Sequence, residues 1–176
     1  MTVFEAIRMR RSVRQYSSRP IPDDVMQRMR EAMRYAPSAC NIQPWRFIIV
    51  TEPRLRTELA RAAHGQMWMA DAPVTIVGCG WPALAYAHMG GSRSSVDMDV
   101  AIALDHLTLA AVAEGLGTCW IGAFDEPAVR KILGIPQEVR VVAMTPLGYP
   151  AKPELIHPVS QGQRKSEAEV FSVNGF

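Results

Sequence analysis

Four arginines crowd the amino end of the chain. The segment RMRRSVRQY places Arg8, Arg10, Arg11 and Arg14 within seven residues, with the hydroxyl of Ser12 among them. Like charges this close repel, so the cluster is either a face solvated by water or a site that expects an anion. Guanidinium groups donate paired hydrogen bonds to phosphate oxygens and serine adds a neutral donor, which makes a phosphate monoester the natural ligand of such a set. Arg10 and Arg14 stand one helical turn apart and would share a face if the first helix ran that far.

A second polar constellation is APSACNIQPWRF, where Pro37, Ser38, Ala39, Asn41 and Gln43 form a proline-bounded loop before an apolar run. Asparagine and glutamine each offer a donor and an acceptor, as a polyhydroxy chain or the edge of a heterocyclic ring requires. Turn chemistry explains the same residues without a ligand. A third segment, GLGTCWIGAFD, surrounds Trp120, Ile121, Gly122 and Ala123 with glycines that let backbone approach a flat molecule; a helix stop and a tight strand end is the competing reading.

Other motifs carry less. Gly78-Cys79-Gly80-Trp81-Pro82-Ala83, with Asp97 beyond it, nominally fits a dinucleotide fingerprint. It follows the second apolar strand instead of opening a βαβ unit, and Trp81-Pro82 puts bulk and a missing N–H where pyrophosphate needs bare backbone. His64, His88, His106 and His157 share no ligand spacing, so a metal site is not expected, and no GxSxG nucleophile motif occurs. His106 lies in an apolar helix and reads as an interior or interface residue. Trp45, Trp68 and Trp120 read as core or interface, although Trp120 adjoins the glycine-rich segment.

These residues must be positioned by one domain. The chain has 176 residues, 48% of them hydrophobic and 20% charged, with a formal net charge of +2, which favours neither a nucleic-acid nor a membrane partner. Cys40, Cys79 and Cys119 have no CxxC spacing, and no apolar run reaches the length of a bilayer span, so a cytoplasmic protein is expected. Thr2 and Glu5 form a capping-box pattern for a first helix ending near Ser12. Val25, Met26, Met29, Ala32, Met33 and Ala36 mark a second helix stopped by Pro37. Strands are expected at 47–50, 74–77, 119–121 and 140–144, and helices at 53–63, 97–114 (apolar on nearly every face) and 127–133. Residues 78–95 read as a long irregular excursion, and 151–176 as a polar tail able to wrap a neighbouring subunit. The fold class is α+β: one domain over 1–176, with a mixed or antiparallel sheet of about four strands flanked by helices.

Taken in order and at this spacing, RRSVRQY, PSACNIQPWRF and GTCWIGAFD resemble the nitroreductase family of FMN-dependent oxidoreductases, from about Phe4 to Arg164. The resemblance implies an interlocked homodimer with two FMN sites at its interface. Arg10, Arg11, Ser12 and Arg14 would grip the phosphate and pyrimidine from one subunit, and Pro37, Ser38, Ala39, Asn41 and Gln43 would come from the other. Trp120, Ile121 and Gly122 would face the ring, with Gly122 or Ala123 donating an N–H to it. Many members carry a second glycine where Ala123 stands. Arg164 or Lys165 would add a late basic contact to the phosphate, and Arg14 would stabilise negative charge on the reduced ring. The implied reaction takes electrons from NAD(P)H and delivers them, by alternating turnover, to a small electron-poor acceptor such as a nitroaromatic or quinone. Specialised relatives (flavin fragmentation, dehalogenation, azoline oxidation) and a non-enzymatic FMN binder are the alternatives, and residues 78–95 would select the acceptor.

Overall fold

Two stretches of alternating and continuous apolar residues pair first. β1 (Trp45–Val50) runs antiparallel to β2 (Val74–Gly80), from Trp45 opposite Gly80 to Val50 opposite Thr75. β4 (Arg140–Gly148) lies on the other side of β2, and the two-residue β3 (Gly117–Thr118) closes the order β1-β2-β4-β3, antiparallel throughout. The computed structural model describes residues 1–176.

Every residue of β2 is buried, because helices cover both faces of the sheet. On one face α2 (Asp23–Arg34) and α4 (Val96–Ala113) gather Met29, Met33, Leu104 and Leu107 over Ile76, Ala143 and Leu147, and α1 (Val3–Met9) packs on α4. On the other, α3 (Pro53–Ala62) and α5 (Glu126–Leu133) set Leu59, Ala60 and Val129 against Val77, Val141 and Met144. Removing a side chain such as Leu104 from this interior would cost about 2–5 kcal/mol. α4 is held unusually close to β2: a Cβ at Gly80 would lie 2.4 Å from Val96 Cγ2, and one at Gly78 2.8 Å from Leu104 Cδ1. Only bare backbone permits that approach.

Several boundaries differ from the sequence reading, each for a local reason. The first helix stops at Met9, not near Ser12, because Ser12 and Val13 are drawn into an extended bridge with Thr118. Arg10 and Arg14 therefore share no helical face. β2 continues to Gly80, so the irregular excursion begins at Trp81, and the glycines of the rejected fingerprint lie inside a strand. The third strand is Gly117–Thr118 and not 119–121: the Cys119 N–H turns to Thr145 Oγ1 at 3.2 Å, leaving Ile121 in an isolated bridge to Met144. β4 extends past Met144 to Gly148 because Leu147 and Gly148 pair with β3. The tail carries a short α6 (Glu167–Val170) with its own capping box at Ser166 and Glu169. The capping box of Thr2 and Glu5 forms as the spacing implies, with reciprocal bonds of 2.7 and 3.2 Å. No helix is long and apolar enough to cross a membrane.

Candidate functional site

At the end of α1 the backbone turns extended at Arg10, and Val13 N–H donates to Thr118 O at 2.9 Å. That bond lays RRSVR alongside GTCWIGA. Gly117 makes it possible, since a Cβ there would sit 2.7 Å from Val13 Cγ2. Arg10, Arg11, Ser12, Val159, Gln163 and Arg164 then line an open cleft of about 320 Å³. Of the two late basic residues, Arg164 lines the cleft and Lys165 does not.

The cleft gathers cations without counter-charge. Every ion pair of the chain lies elsewhere, so Arg10, Arg11 and Arg164, which line it, and Arg14, which does not, have no carboxylate partner. Burial, with Arg10 and Arg164 close by, pulls the Arg11 guanidinium below its ordinary value. Arg11 is also the most committed of the four: it donates to His157 O at 2.8 Å and to the carbonyls of Arg8 and Arg10, tying the tail to the end of α1. Arg14 points away from these bonds, with its guanidinium 5.9 Å from the centre of the Trp68 ring. Cys119 lies beneath the cluster. Burial pushes its thiol up, opposed by Arg14, the Ser12 hydroxyl and Arg10.

Beyond Cys119 runs a strip of free donors. Ile121 exchanges backbone bonds with Met144, but the N–H groups of Trp120, Gly122 and Ala123 meet no acceptor in the chain. Gly122 and Ala123 are exposed, and a Cβ built on Gly122 would find no atom within 4 Å. Open space and unpaired N–H groups suit contact with the edge of a planar molecule.

The loop from Pro37 to Gln43 lies elsewhere. It contains a 3-10 turn (Ala39–Asn41), and three of its non-glycine residues are left-handed: Cys40 at φ 50°, Asn41 at φ 54° and Gln43 at φ 55°. Ser38 Oγ accepts the Gln43 N–H at 2.9 Å, and Gln43 Nε2 donates to Asn41 Oδ1 at 3.2 Å. The loop enters β1 beside Gly80, where Trp81 N–H donates to Pro44 O at 2.9 Å. The arginine cluster instead joins the sheet at Thr118, opposite Leu147, which faces Val74 at the far end of β2. The six Cα steps from Val74 to Gly80 put the two constellations about 20 Å apart along the strands, at opposite edges of the sheet within one chain.

Some participants escape sequence reasoning. Val159 and Gln163 reach the cleft only because the tail folds back, with Val159 N–H donating to Arg8 O at 2.9 Å. Asp99, in the first turn of α4, accepts the Ala39 N–H at 2.9 Å, and nothing in the sequence ties it to that loop. Cys119 looks like an ordinary strand residue until the Ser12 bridge places it below the arginines.

Comparison with known proteins places this geometry in context. The profile of the nitroreductase family matches residues 7–149. An NADH dehydrogenase of Thermus thermophilus is 33% identical over 172 residues, spanning 81% of this chain and 84% of the relative. A 5,6-dimethylbenzimidazole synthase of Rhodobacter capsulatus is 32% identical over 170 residues, spanning 83% and 82%. A crystal structure of a nitroreductase family protein from Clostridium difficile 630 superposes with a TM-score of 0.89 at 26% identity, over the whole of both chains. The helix-flanked antiparallel sheet, the matched profile and the similarity along most of the chain agree, and the chain belongs to the nitroreductase family of oxidoreductases.

Proposed function

We propose that two copies of this chain hold FMN between them and use it to pass electrons from NAD(P)H to a small, electron-poor acceptor such as a nitroaromatic or quinone. The observation that carries this reading is the cleft of Arg10, Ser12 and Arg164, free of any carboxylate, beside the unpaired N–H groups of Trp120, Gly122 and Ala123. A phosphate ester and a planar ring joined by a short chain fit that donor set. When bound, FMN supplies the hydride and electron chemistry.

The chain's own groups supply grip and electrostatics. Arg10, Ser12 and Arg164 bind the phosphate, with Arg11 adding what its remaining N–H groups allow. Arg14, outside the cleft lining and over Trp68, would stabilise the negative charge that reduction brings to a bound flavin. Gly122 and Ala123 offer N–H donors to the ring edge, and both stay available for that role. Pro37, Ser38, Ala39, Asn41 and Gln43 serve the flavin of the second copy, since about 20 Å of sheet separates them from the cluster in their own.

A second copy also accounts for apolar surface that one copy leaves in water. Phe4 on α1 is 77% exposed, and an apolar cleft of about 310 Å³ between α1, α2 and α4 is lined by Val3, Ala6, His106 and Leu109 among others. The tail exposes Phe171 and Val173, which suits the wrapping role anticipated for it.

A second reading has its own support, because the dimethylbenzimidazole synthase is as similar as the NADH dehydrogenase. The discriminating experiment is anaerobic mixing of the yellow protein with NADH or NADPH while the flavin band near roughly 450 nm is followed. Bleaching by either donor, reversed by a nitroaromatic or quinone, supports the reductase. Consumption of FMN itself when oxygen is then admitted to the reduced protein as oxidant, detected by chromatography, supports the synthase-like reading, and a colourless protein refutes both.

A further inference from the structure

The 38–43 loop is strained, and something must hold it. Cys40, Asn41 and Gln43 all occupy the left-handed region, a conformation of about 1–2 kcal/mol per non-glycine residue that survives only where neighbours over-determine it. Within the loop, Ser38 accepts from Gln43 and Asn41, and Ile42 N–H donates to Ala39 O at 3.1 Å. Two anchors come from outside. Behind it, Trp81 N–H holds Pro44 O; in front, the Asp99 carboxylate accepts the Ala39 N–H at 2.9 Å through Oδ1 and the Ser95 hydroxyl at 2.6 Å through Oδ2.

Asp99 is out of place for a helix residue. It is only 3% exposed, pairs with no lysine or arginine, and stands on a helix whose other buried residues, Thr108 apart, are apolar. A buried carboxylate without a cation is costly, and favourable interaction with the start of α4 would be obtained equally by the exposed Asp97. What burial adds is a fixed acceptor aimed at Ala39. Ser95, fully buried itself, orients that carboxylate.

We propose that Asp99, oriented by Ser95, is the positioning residue that holds the 38–43 loop in its strained form so that Ser38, Asn41 and Gln43 meet the flavin of the neighbouring copy. This rests on the reading that the loop serves the flavin. It predicts a dependence on hydrogen-bond geometry and not on charge: an asparagine at 99 can still accept from Ala39 with its oxygen and donate to Ser95 Oγ with its amide.

The test measures FMN dissociation constants and the visible circular dichroism of bound flavin in the full-length protein. Asp99→Ala is expected to weaken FMN about 10-fold, the loss of the bonds to Ala39 and Ser95 that fix the loop, and to alter the dichroism. Asp99→Asn should stay within about threefold of the parent, the two bonds being kept, and Ser95→Ala should fall between. Val100→Ala, which trims the same helix against Gly78, should lower thermal stability while leaving affinity and dichroism unchanged, which separates positioning from general loosening. Parental affinity in Asp99→Ala, or equal weakening in Asp99→Asn and Asp99→Ala, overturns the proposal. Asn41→Ala and Gln43→Ala separate it from the reading beneath: if they weaken FMN while Asp99→Ala does not, only the Asp99 role fails, and if they too bind normally, the assignment of the loop to the flavin fails with it.

Discussion

The sharpest consequence of the cleft concerns a chain carrying Arg10→Ala and Ser12→Ala together. Arg10 offers a charge-assisted bond to the phosphate, about 2 kcal/mol, and the Ser12 hydroxyl a neutral one, about 1 kcal/mol. Their sum, about 3 kcal/mol, raises the FMN dissociation constant on the order of 100-fold. Ser12 is exposed and Arg10 half-buried, so salt screens part of the effect and the loss should shrink as ionic strength rises. The fold should survive, because the bonds that shape this segment are not made by the deleted atoms. Val13 N–H still reaches Thr118 O, and the Thr2–Glu5 cap stays in place. Flavin fluorescence titration of the apoprotein reads the affinity directly, while far-ultraviolet dichroism checks the fold. If the doubly altered protein purifies fully yellow, with an affinity within about threefold of the parent's, the phosphate does not sit between Arg10 and Ser12 and the assignment of the cleft is wrong.

Gly122→Val should leave stability within about 0.5 kcal/mol, since no atom lies within 4 Å of the added Cβ, yet it should lower flavin affinity or slow bleaching by NAD(P)H; wild-type behaviour in both would remove Gly122 from the ring face. Cys79 links stability to alkaline pH. Burial pushes its thiol up to about 11 from an ordinary 9.0, so its contribution is complete below pH 9 and is lost as pH climbs through about 11. Urea midpoints should fall across that window, and by less in Cys79→Val, whose side chain has nothing to ionise; identical profiles for the two proteins would show that this thiol is not responsible.

Helices were far more legible than the junctions between elements. α2 announces itself because Val25, Met26, Met29 and Met33 recur at helical spacing, and these four are the residues it buries. α4 reads as central because it is apolar on almost every side, and Gly115, at φ +72°, stops it where the glycine suggests. The third strand was not legible from 119–121, since the Thr145 hydroxyl replaces a main-chain partner at Cys119 and no local pattern encodes a contact 26 residues away. The arginine cluster could be picked out by composition, yet the division of labour within it could not: Arg11 spends its donors on carbonyls of Arg8, Arg10 and His157, one of them 146 residues distant. Arg164 and Lys165 are adjacent in sequence and alike in charge, and only the path of the folded-back tail separates them. Asp99 hid for a different reason. An acidic residue in the first turn of a helix has an ordinary explanation, and its orientation towards Ala39 depends on a register set by the sheet.

Gly78 and Gly80 have a consequence beyond the packing they allow. With no side chain between strand and helix at those points, β2 and the start of α4 are clamped together, and Asp99 and Trp81 fasten the 38–44 loop to the same block. Residues 81–95 leave this block and return to it, both footings being fixed. A span anchored on one solid abutment can be lengthened, shortened or rewritten without disturbing its foundations, so sequence change here leaves the block beneath it as it is.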